Sequence, residues 1–227
     1  PKISFEIKRG STVGIIGGTG SGKSTLINLI PRFYDVTQGS VEVDGRNVKD
    51  YSFKQLRKQI GIVPQQSILF KGSIRDNMKW ENSDLSDEDI ITALKNAQAY
   101  EFVSKLPMGL DSHVEQGGKN FSGGQRQRLC IARAIAAQPK VLILDDSFSA
   151  LDFATDAALR KALSQYTHEM TVIIVTQRCS TIMNSDLILV LDDGMLAGKG
   201  THKELLKNCE TYKEICLSQL SKSEVEV

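Results

Sequence analysis

The sequence contains no apolar run near the roughly 18 residues that a membrane-spanning helix requires. Its longest runs sit around residues 172–175 and 187–191. No secretory leader pattern is visible. An excess of one charge is also missing: 28 Lys and Arg stand against 27 Asp and Glu, a formal net charge of +1. A nucleic-acid-binding face needs concentrated positive charge, so this balance argues against nucleic acid as a partner. Histidine is scarce, and His113, His168 and His202 are scattered, so no chemistry is assigned to them. The four cysteines, Cys130, Cys179, Cys209 and Cys216, form no C-x-x-C pair, and none sits near histidine at ligand spacing. They are expected to be buried or incidental thiols in a reducing compartment.

What is present is 227 residues, 41% of them hydrophobic, enough core for one large domain or two small lobes. Near the start, Ile3, Phe5 and Ile7 alternate with polar residues as in an amphipathic strand. Because the sequence opens at Pro1, inside that strand, an excised domain of a longer protein is expected.

The chain is organised around Gly17-Gly18-Thr19-Gly20-Ser21-Gly22-Lys23-Ser24-Thr25, which fits the phosphate-loop pattern G-x-x-x-x-G-K-S/T without a mismatch. Residues 12–16 read as a buried strand before it. Residues 24–30 read as a helix start after it, ended or kinked by Pro31. Glycines let successive N–H groups curl toward an anion, and a helix start adds partial positive charge. Lys23 can then reach the β- and γ-phosphates, and the Ser24 hydroxyl can hold Mg²⁺. The competing reading is a flexible glycine turn with a surface lysine; the flanking strand and helix argue against it.

Residues 41–44 read as a strand ending at the turn Asp44-Gly45, and residues 51–58 as a helix. Residues 60–63 form a short buried strand running into Pro64-Gln65-Gln66. Gln65 either caps a loop or, near a nucleotide, ligates Mg²⁺ or positions water. Ser86 caps a helix with acids in its first turn, and residues 100–106 form a second helical piece. Trp80 is expected to pack this lobe rather than stack a ligand. A second glycine-rich loop, Gly117-Gly118-Lys119-Asn120-Phe121-Ser122-Gly123-Gly124-Gln125, opens another helix. Ser122 and Gln125 have capping-box spacing, which leaves the N–H groups of Gly123 and Gly124 as a second anion site or as an ordinary glycine loop. Two phosphate-type loops with one Lys-Ser pair suggest a nucleotide shared between two subunits.

Val141-Leu142-Ile143-Leu144 is an apolar strand that delivers Asp145 and Asp146 at its end. Adjacent carboxylates there are costly unless they meet a cation or donors. In phosphate-loop proteins the first holds Mg²⁺ through water, and the second can orient or deprotonate the attacking water. Ser149-Ala150-Leu151-Asp152 starts the next turn and helix. Residues 172–175 are a strand ending at Thr176-Gln177-Arg178. Asp192-Asp193-Gly194 turns a hairpin, and one helix from about residue 203 to 220 closes the chain, followed by a frayed polar tail.

As a set, these stretches resemble the ATP-binding domain of ABC transporters, most closely the exporter type, over nearly the whole chain. Residues 17–25 match Walker A, Gln65 the Q-loop, Asp145 the end of Walker B, and residues 149–152 the D-loop with Asp152. Phe121-Ser122-Gly123-Gly124-Gln125 matches the LSGGQ signature except at its first place, and residues 200–206 match a common family ending. The resemblance implies an α/β fold: a P-loop NTPase core with a mixed β-sheet flanked by helices, residues 1–65 and 141–227. Residues 66–140 are its inserted α-helical subdomain carrying the signature. It implies ATP and Mg²⁺ as cofactors, with Ser24, Gln65 and Asp145 around the ion. It also implies a head-to-tail dimer with a second ABC ATP-binding domain, a transmembrane domain as partner, and a place at the cytoplasmic face of the cell membrane.

The departures bear on mechanism. The family has glutamate after the Walker B aspartate; here it is Asp146. The family has histidine in the H-loop; here it is Gln177. The exporter x-loop V-G-E-R-G is here Val114-Glu115-Gln116-Gly117-Gly118. Aspartate leaves its carboxylate about 1.5 Å short, and misplacement of roughly 1 Å can cost on the order of 100-fold. Glutamine can donate to a phosphate but carries neither proton nor positive charge. Two such losses resemble the weakly hydrolytic half of a heterodimeric exporter, whose partner is the competent, non-identical domain. The alternatives are a homodimeric exporter in which Asp146 works as base, and a non-transport ABC ATPase.

Overall fold

The computed structural model of the chain describes residues 3–166 and 170–220. The expected frayed tail and His168 lie outside them. Strand β1 (Thr12–Ile16) leads into helix α1 (Lys23–Asn28), which ends before Pro31 as the missing proline N–H requires. Strands β2 (Glu42–Val43) and β3 (Arg46–Asn47) form a hairpin, and Asp44 and Gly45 turn it with φ of 56° and 72°. Helix α2 (Phe53–Arg57), capped by Ser52, precedes strand β4 (Ile60–Val63).

A mostly helical stretch follows. Strand β5 (Gly72–Ser73) pairs antiparallel with β6 (His113–Val114) and brackets helices α3 (Ile74–Met78), α4 (Asp87–Asn96) and α5 (Tyr100–Ser104). Ser73 and Ser86 close reciprocal capping boxes on α3 and α4. Helix α6 (Gly123–Ala136) then returns to strand β7 (Val141–Asp145). Helix α7 (Phe153–Tyr166), strand β8 (Thr171–Thr176) and short helix α8 (Cys179–Ile182) lead to the hairpin of β9 (Leu187–Asp192) and β10 (Met195–Gly200). The chain closes with α9 (His202–Asn208) and α10 (Glu210–Gln219).

The six-stranded sheet runs in the order β10-β9-β1-β8-β7-β4, with every pairing parallel except β10 on β9. Successive side chains of a strand point to opposite faces. Leu142, Leu144, Val172 and Ile174 therefore enter one buried cluster with α4, α6 and α10, while Ile143, Ile173 and Val175 enter a second with Ile27 of α1 and Leu56 of α2. Burial on both faces explains why these strands read as continuous apolar runs. Parallel alignment puts the carboxyl ends of β4, β7, β8 and β1 on one edge, where open α/β sheets bind ligands.

Three expectations need correction. Ile3, Phe5 and Ile7 pack against the second cluster, but no strand forms there: among the described residues no strand pairs with this segment. The closing helix is two helices, broken at Cys209, whose φ of −130° and ψ of 103° are extended. Trp80 does pack in its lobe, stacking on Phe70 with centroids 4.0 Å apart, although it stays 60% exposed. The thiols are not all free. Cys179 and Cys216, 37 residues apart, are joined in a disulfide with Cα atoms 5.6 Å apart, while Cys130 and Cys209 are free and buried. Local spacing does not report a pairing made by tertiary packing.

One buried polar contact pins α7 to α8. Asp156, 2% exposed, accepts from Arg160 Nε at 2.5 Å and from the Thr181 hydroxyl at 3.3 Å. Asp156→Ala leaves that hydroxyl without its acceptor, while Arg160 can turn to water. The expected loss is about 2 kcal/mol of unfolding free energy, read as a lowered urea midpoint; an unchanged midpoint contradicts this account of the contact.

Candidate nucleotide site

The loop of residues 17–25 leaves the carboxyl end of β1 and enters α1. Gly17 has no room for a side chain: a Cβ there would stand 2.2 Å from the Leu191 carbonyl oxygen and 2.6 Å from Ser21 Oγ. Gly22, with φ of 93°, precedes α1 in the left-handed region that L residues avoid. The β9–β10 turn backs the loop through Gly194 N, which donates to the Ser21 carbonyl at 3.2 Å. Lys23 folds across it, Nζ donating to the carbonyls of Gly17 at 2.8 Å and Gly18 at 2.7 Å and to Ser21 Oγ at 3.3 Å. Burial lowers the Lys23 pKa, opposed by the charges of Asp145 and Asp146. Its three donors face acceptors that a phosphate, with full negative charge, would outcompete.

Ser24 and Asp145 meet as expected: Ser24 Oγ donates to Asp145 Oδ2 at 3.3 Å. Partial burial raises the Asp145 pKa; the Ser24 hydrogen bond lowers it, and the neighbouring Asp146 charge raises it further. A hydroxyl, a carboxylate and the Gln65 amide are hard oxygen donors that suit Mg²⁺. Gln65, however, turns its amide nitrogen to Asp146, Nε2 donating to Oδ2 at 3.3 Å.

Asp146 adopts φ of 49°, a left-handed conformation that costs an L residue about 1–2 kcal/mol. Its neighbours hold it there. Its N–H donates to the Val175 carbonyl at 2.8 Å, and its own carbonyl accepts from Ser149 Oγ at 2.9 Å and Gln127 Nε2 at 3.4 Å. Gln127 lies on α6, is 3% exposed, and accepts from Ala150 N at 3.3 Å. It thus ties the helix that Ser122 starts to the loop of residues 149–152. Sequence reading did not single out Gln127; a polar side chain among the apolar positions of α6 was the available signal. Ser147 was missed too: wholly buried, its hydroxyl donates to the Val63 carbonyl at 3.0 Å and joins β7 to β4.

Gln177 follows the last residue of β8, two positions beyond Val175, which pairs with Asp145. It is exposed, and its backbone carbonyl accepts from Gln219 Nε2 of α10 at 2.7 Å. Arg178 Nη2 donates to the Ser149 carbonyl at 3.1 Å, linking this turn to the loop before α7. Asp152 is occupied locally. It accepts from Thr155 N at 2.9 Å and Thr155 Oγ1 at 2.8 Å, and these bonds lower its pKa.

Ser122 caps α6 as its spacing predicts. Gln125 N donates to Ser122 Oγ at 3.2 Å, and Ser122 N donates to Gln125 Oε1 at 3.0 Å. Phe121 is buried beside Phe102, with centroids 6.3 Å apart, while Ser122 and Gly123 are exposed. No hydrogen bond among the described residues joins residues 122–125 to the loop of residues 17–25. The chain therefore brings Lys23, Ser24, Gln65, Asp145 and Asp146 together by hydrogen bonds and charge, and the second glycine loop makes no hydrogen bond to them among the described residues.

The raised Asp145 pKa has a stability consequence. Folding favours its neutral form, so its charge opposes folding at pH values above both its unfolded and its raised folded pKa. Asp145→Asn should raise stability at neutral pH by under about 1 kcal/mol, since Asp145 is only half-buried and water screens the rest. The gain should vanish as pH falls through the raised pKa, where Asp145 itself is protonated. Urea titrations of both chains between pH 4 and 8 check this; a loss of stability at pH 7 contradicts it.

The model of the family described as ABC transporter matches residues 1–149. The uncharacterized ABC transporter ATP-binding protein YfiB of Bacillus subtilis is 47% identical over 220 residues, covering 97% of this chain and 38% of that protein. The ATP-dependent lipid A-core flippase of Haemophilus influenzae is 45% identical, covering 96% of this chain and 38% of its own length. Among solved structures, a bacterial Atm1-family ABC exporter with ATP bound superposes with a TM-score of 0.91 at 38% identity, covering 95% of this chain and 38% of that one. The chain thus spans well under half the length of these relatives. Its α/β fold matches theirs, and no described helix is long and apolar enough to cross a membrane. On the family match and these identities, the chain belongs to the ABC transporter family.

Proposed function

We propose that this chain is the ATP-binding domain of an ABC exporter and that its own site hydrolyses ATP slowly. The observation carrying this reading is the convergence, at one sheet edge, of Lys23 over its glycine loop, the Ser24–Asp145 pair at 3.3 Å and the Gln65–Asp146 pair at 3.3 Å. Residues 17–25 hold the phosphates through backbone N–H groups and Lys23 Nζ. Ser24, Gln65 and Asp145 hold Mg²⁺, which when bound offsets phosphate charge. That role also removes the electrostatic cost recorded in the raised Asp145 pKa. The relative solved with ATP supports this choice of nucleotide.

Asp146 stands where a water-orienting base is needed, but its shorter side chain is held by Gln65. Gln177 can donate to a phosphate and cannot carry its charge. Both features favour binding over turnover. In this reading residues 66–140 act as the inserted helical subdomain between the core segments 1–65 and 141–227. The exposed start of α6, Ser122 with Gly123, Gly124 and Gln125, completes the site of a second, catalytically competent ATP-binding domain in a head-to-tail dimer. Phe121 anchors that start in the lobe, and Asp152 lies in the loop that Gln127 ties to it. ATP binding and hydrolysis are then coupled to a transmembrane domain, with this domain at the cytoplasmic face of the membrane.

The test is the steady-state ATPase rate of the chain alone, of the chain mixed with a competent partner, and of the Asp146→Glu/Gln177→His double variant. We expect a slow chain, at least 10-fold stimulation in the mixed dimer, and a double variant faster by roughly 10–100-fold. Turnover by the unaltered chain alone that equals the double variant contradicts a weakly hydrolytic site.

A further inference from the structure

Three side chains with metal-binding chemistry meet where α8, α9 and α10 converge. Cys179 opens α8, His202 opens α9, and Cys216 lies on α10; they are 0%, 8% and 0% exposed. One ligand atom from each lies within 4.8 Å of the others. Their spacing in sequence gives no hint of this. The Tyr212 hydroxyl, wholly buried, lies 2.8 Å from His202 Nδ1 and 3.5 Å from Cys179 Sγ. ATP binding and hydrolysis use none of these four groups.

The two sulfurs are joined as a disulfide here. Reduced, they have a second fate. We propose that the reduced Cys179–Cys216 pair and His202 bind one thiophilic d¹⁰ cation, of the Zn²⁺ or Cu⁺ class. The donor set is two sulfurs and one imidazole nitrogen. It suits three-coordinate Cu⁺, or Zn²⁺ with a fourth, exogenous ligand, and it excludes the hard Mg²⁺ of the nucleotide site. Burial reinforces the choice. Two thiolates in an apolar interior are prohibitive alone; Zn²⁺ cancels their charge and Cu⁺ cancels half of it. Tyr212 is placed to orient the His202 ring, as partners of metal-bound histidines do.

The chemistry balances with a small thiol, RSH, as reductant. Two RSH give up two electrons and become RSSR, the Cys179–Cys216 bond breaks, and both protein sulfurs leave as thiols. Metal binding then forms two metal–sulfur bonds and releases two protons. Disulfide and metal are mutually exclusive, so occupancy is gated by redox state.

The site also touches the nucleotide edge. Cys179 N donates to Gln219 Oε1 at 2.8 Å, and Gln219 Nε2 donates to the Gln177 carbonyl at 2.7 Å. Gln219 lies three residues beyond Cys216 on α10, so metal binding clasps the closing helices to the turn that carries Gln177.

The test titrates the reduced, chelator-stripped chain anaerobically with Zn²⁺ against a chromophoric chelator, and with Cu⁺ against a Cu⁺ chelator, while following thermal unfolding. We expect one ion per chain for at least one metal and a raised unfolding temperature. Affinity should fall at least 100-fold in Cys179→Ser and Cys216→Ser and about 10-fold in Tyr212→Phe. The oxidised, disulfide-closed chain keeps the fold with both site sulfurs tied up and should take up none at this site. Absence of stoichiometric uptake of either metal, equal uptake by the oxidised chain, or undiminished uptake by folded serine variants would each overturn the proposal.

Discussion

Asp145 carries its charge at the end of β7, partly withdrawn from water, with Asp146 next to it and Lys23 facing both. This arrangement is electrostatically incomplete. Burial pushes the aspartate toward its neutral form and the lysine away from its charged form, and the charge of each opposes that shift in the other. A protein selected only for stability would fill such a strand end with apolar residues. Retained, the cluster is a place prepared for a ligand that brings its own charges of both signs, which a magnesium-bound polyphosphate does.

The parallel sheet makes the cluster possible. Because β4, β7, β8 and β1 all point the same way, their four exit loops meet on one edge. Each of these strands is packed on both faces, which fixes where its exit loop begins. Polar side chains then set the fine positions: Ser147 ties β7 to β4, Gln127 ties α6 to the Asp146 carbonyl, and Gln219 ties α10 to the Gln177 carbonyl. Through Gln127, the helix that presents the second glycine loop is mechanically joined to the strand end carrying the carboxylates. In a dimer, that junction lets the state of one site bear on the other.

Much of this was legible in the sequence, because the signals were local. The phosphate loop, the capping box of Ser122 and Gln125, and the runs at β7 and β8 depend on neighbours within a few residues. The Asp44-Gly45 and Asp193-Gly194 turns show the same locality. What was not legible depends on distant contacts. The alternation at Ile3, Phe5 and Ile7 reads as a strand, but a strand needs a partner for its backbone, and no described strand pairs with this segment. The closing helix is broken at Cys209 although no proline or glycine marks it. The Cys179–Cys216–His202 meeting arises from the packing of three helices. Gln127, buried on α6, offered only a polar break in an apolar pattern, and Gln219, exposed on α10, offered no signal, because what each glutamine does depends on the distant carbonyl it reaches.

The central claim is that residues 17–25 hold ATP while Asp146 and Gln177 split it poorly. The most direct measurement is the fate of nucleotide in the assembled two-domain transporter. It is loaded with ATP and Mg²⁺, allowed many turnovers, rapidly desalted and analysed site by site after photocrosslinking. The account predicts uncleaved ATP at this chain's Lys23 site and ADP at the partner's. ADP at both sites, formed at equal rates, would contradict it.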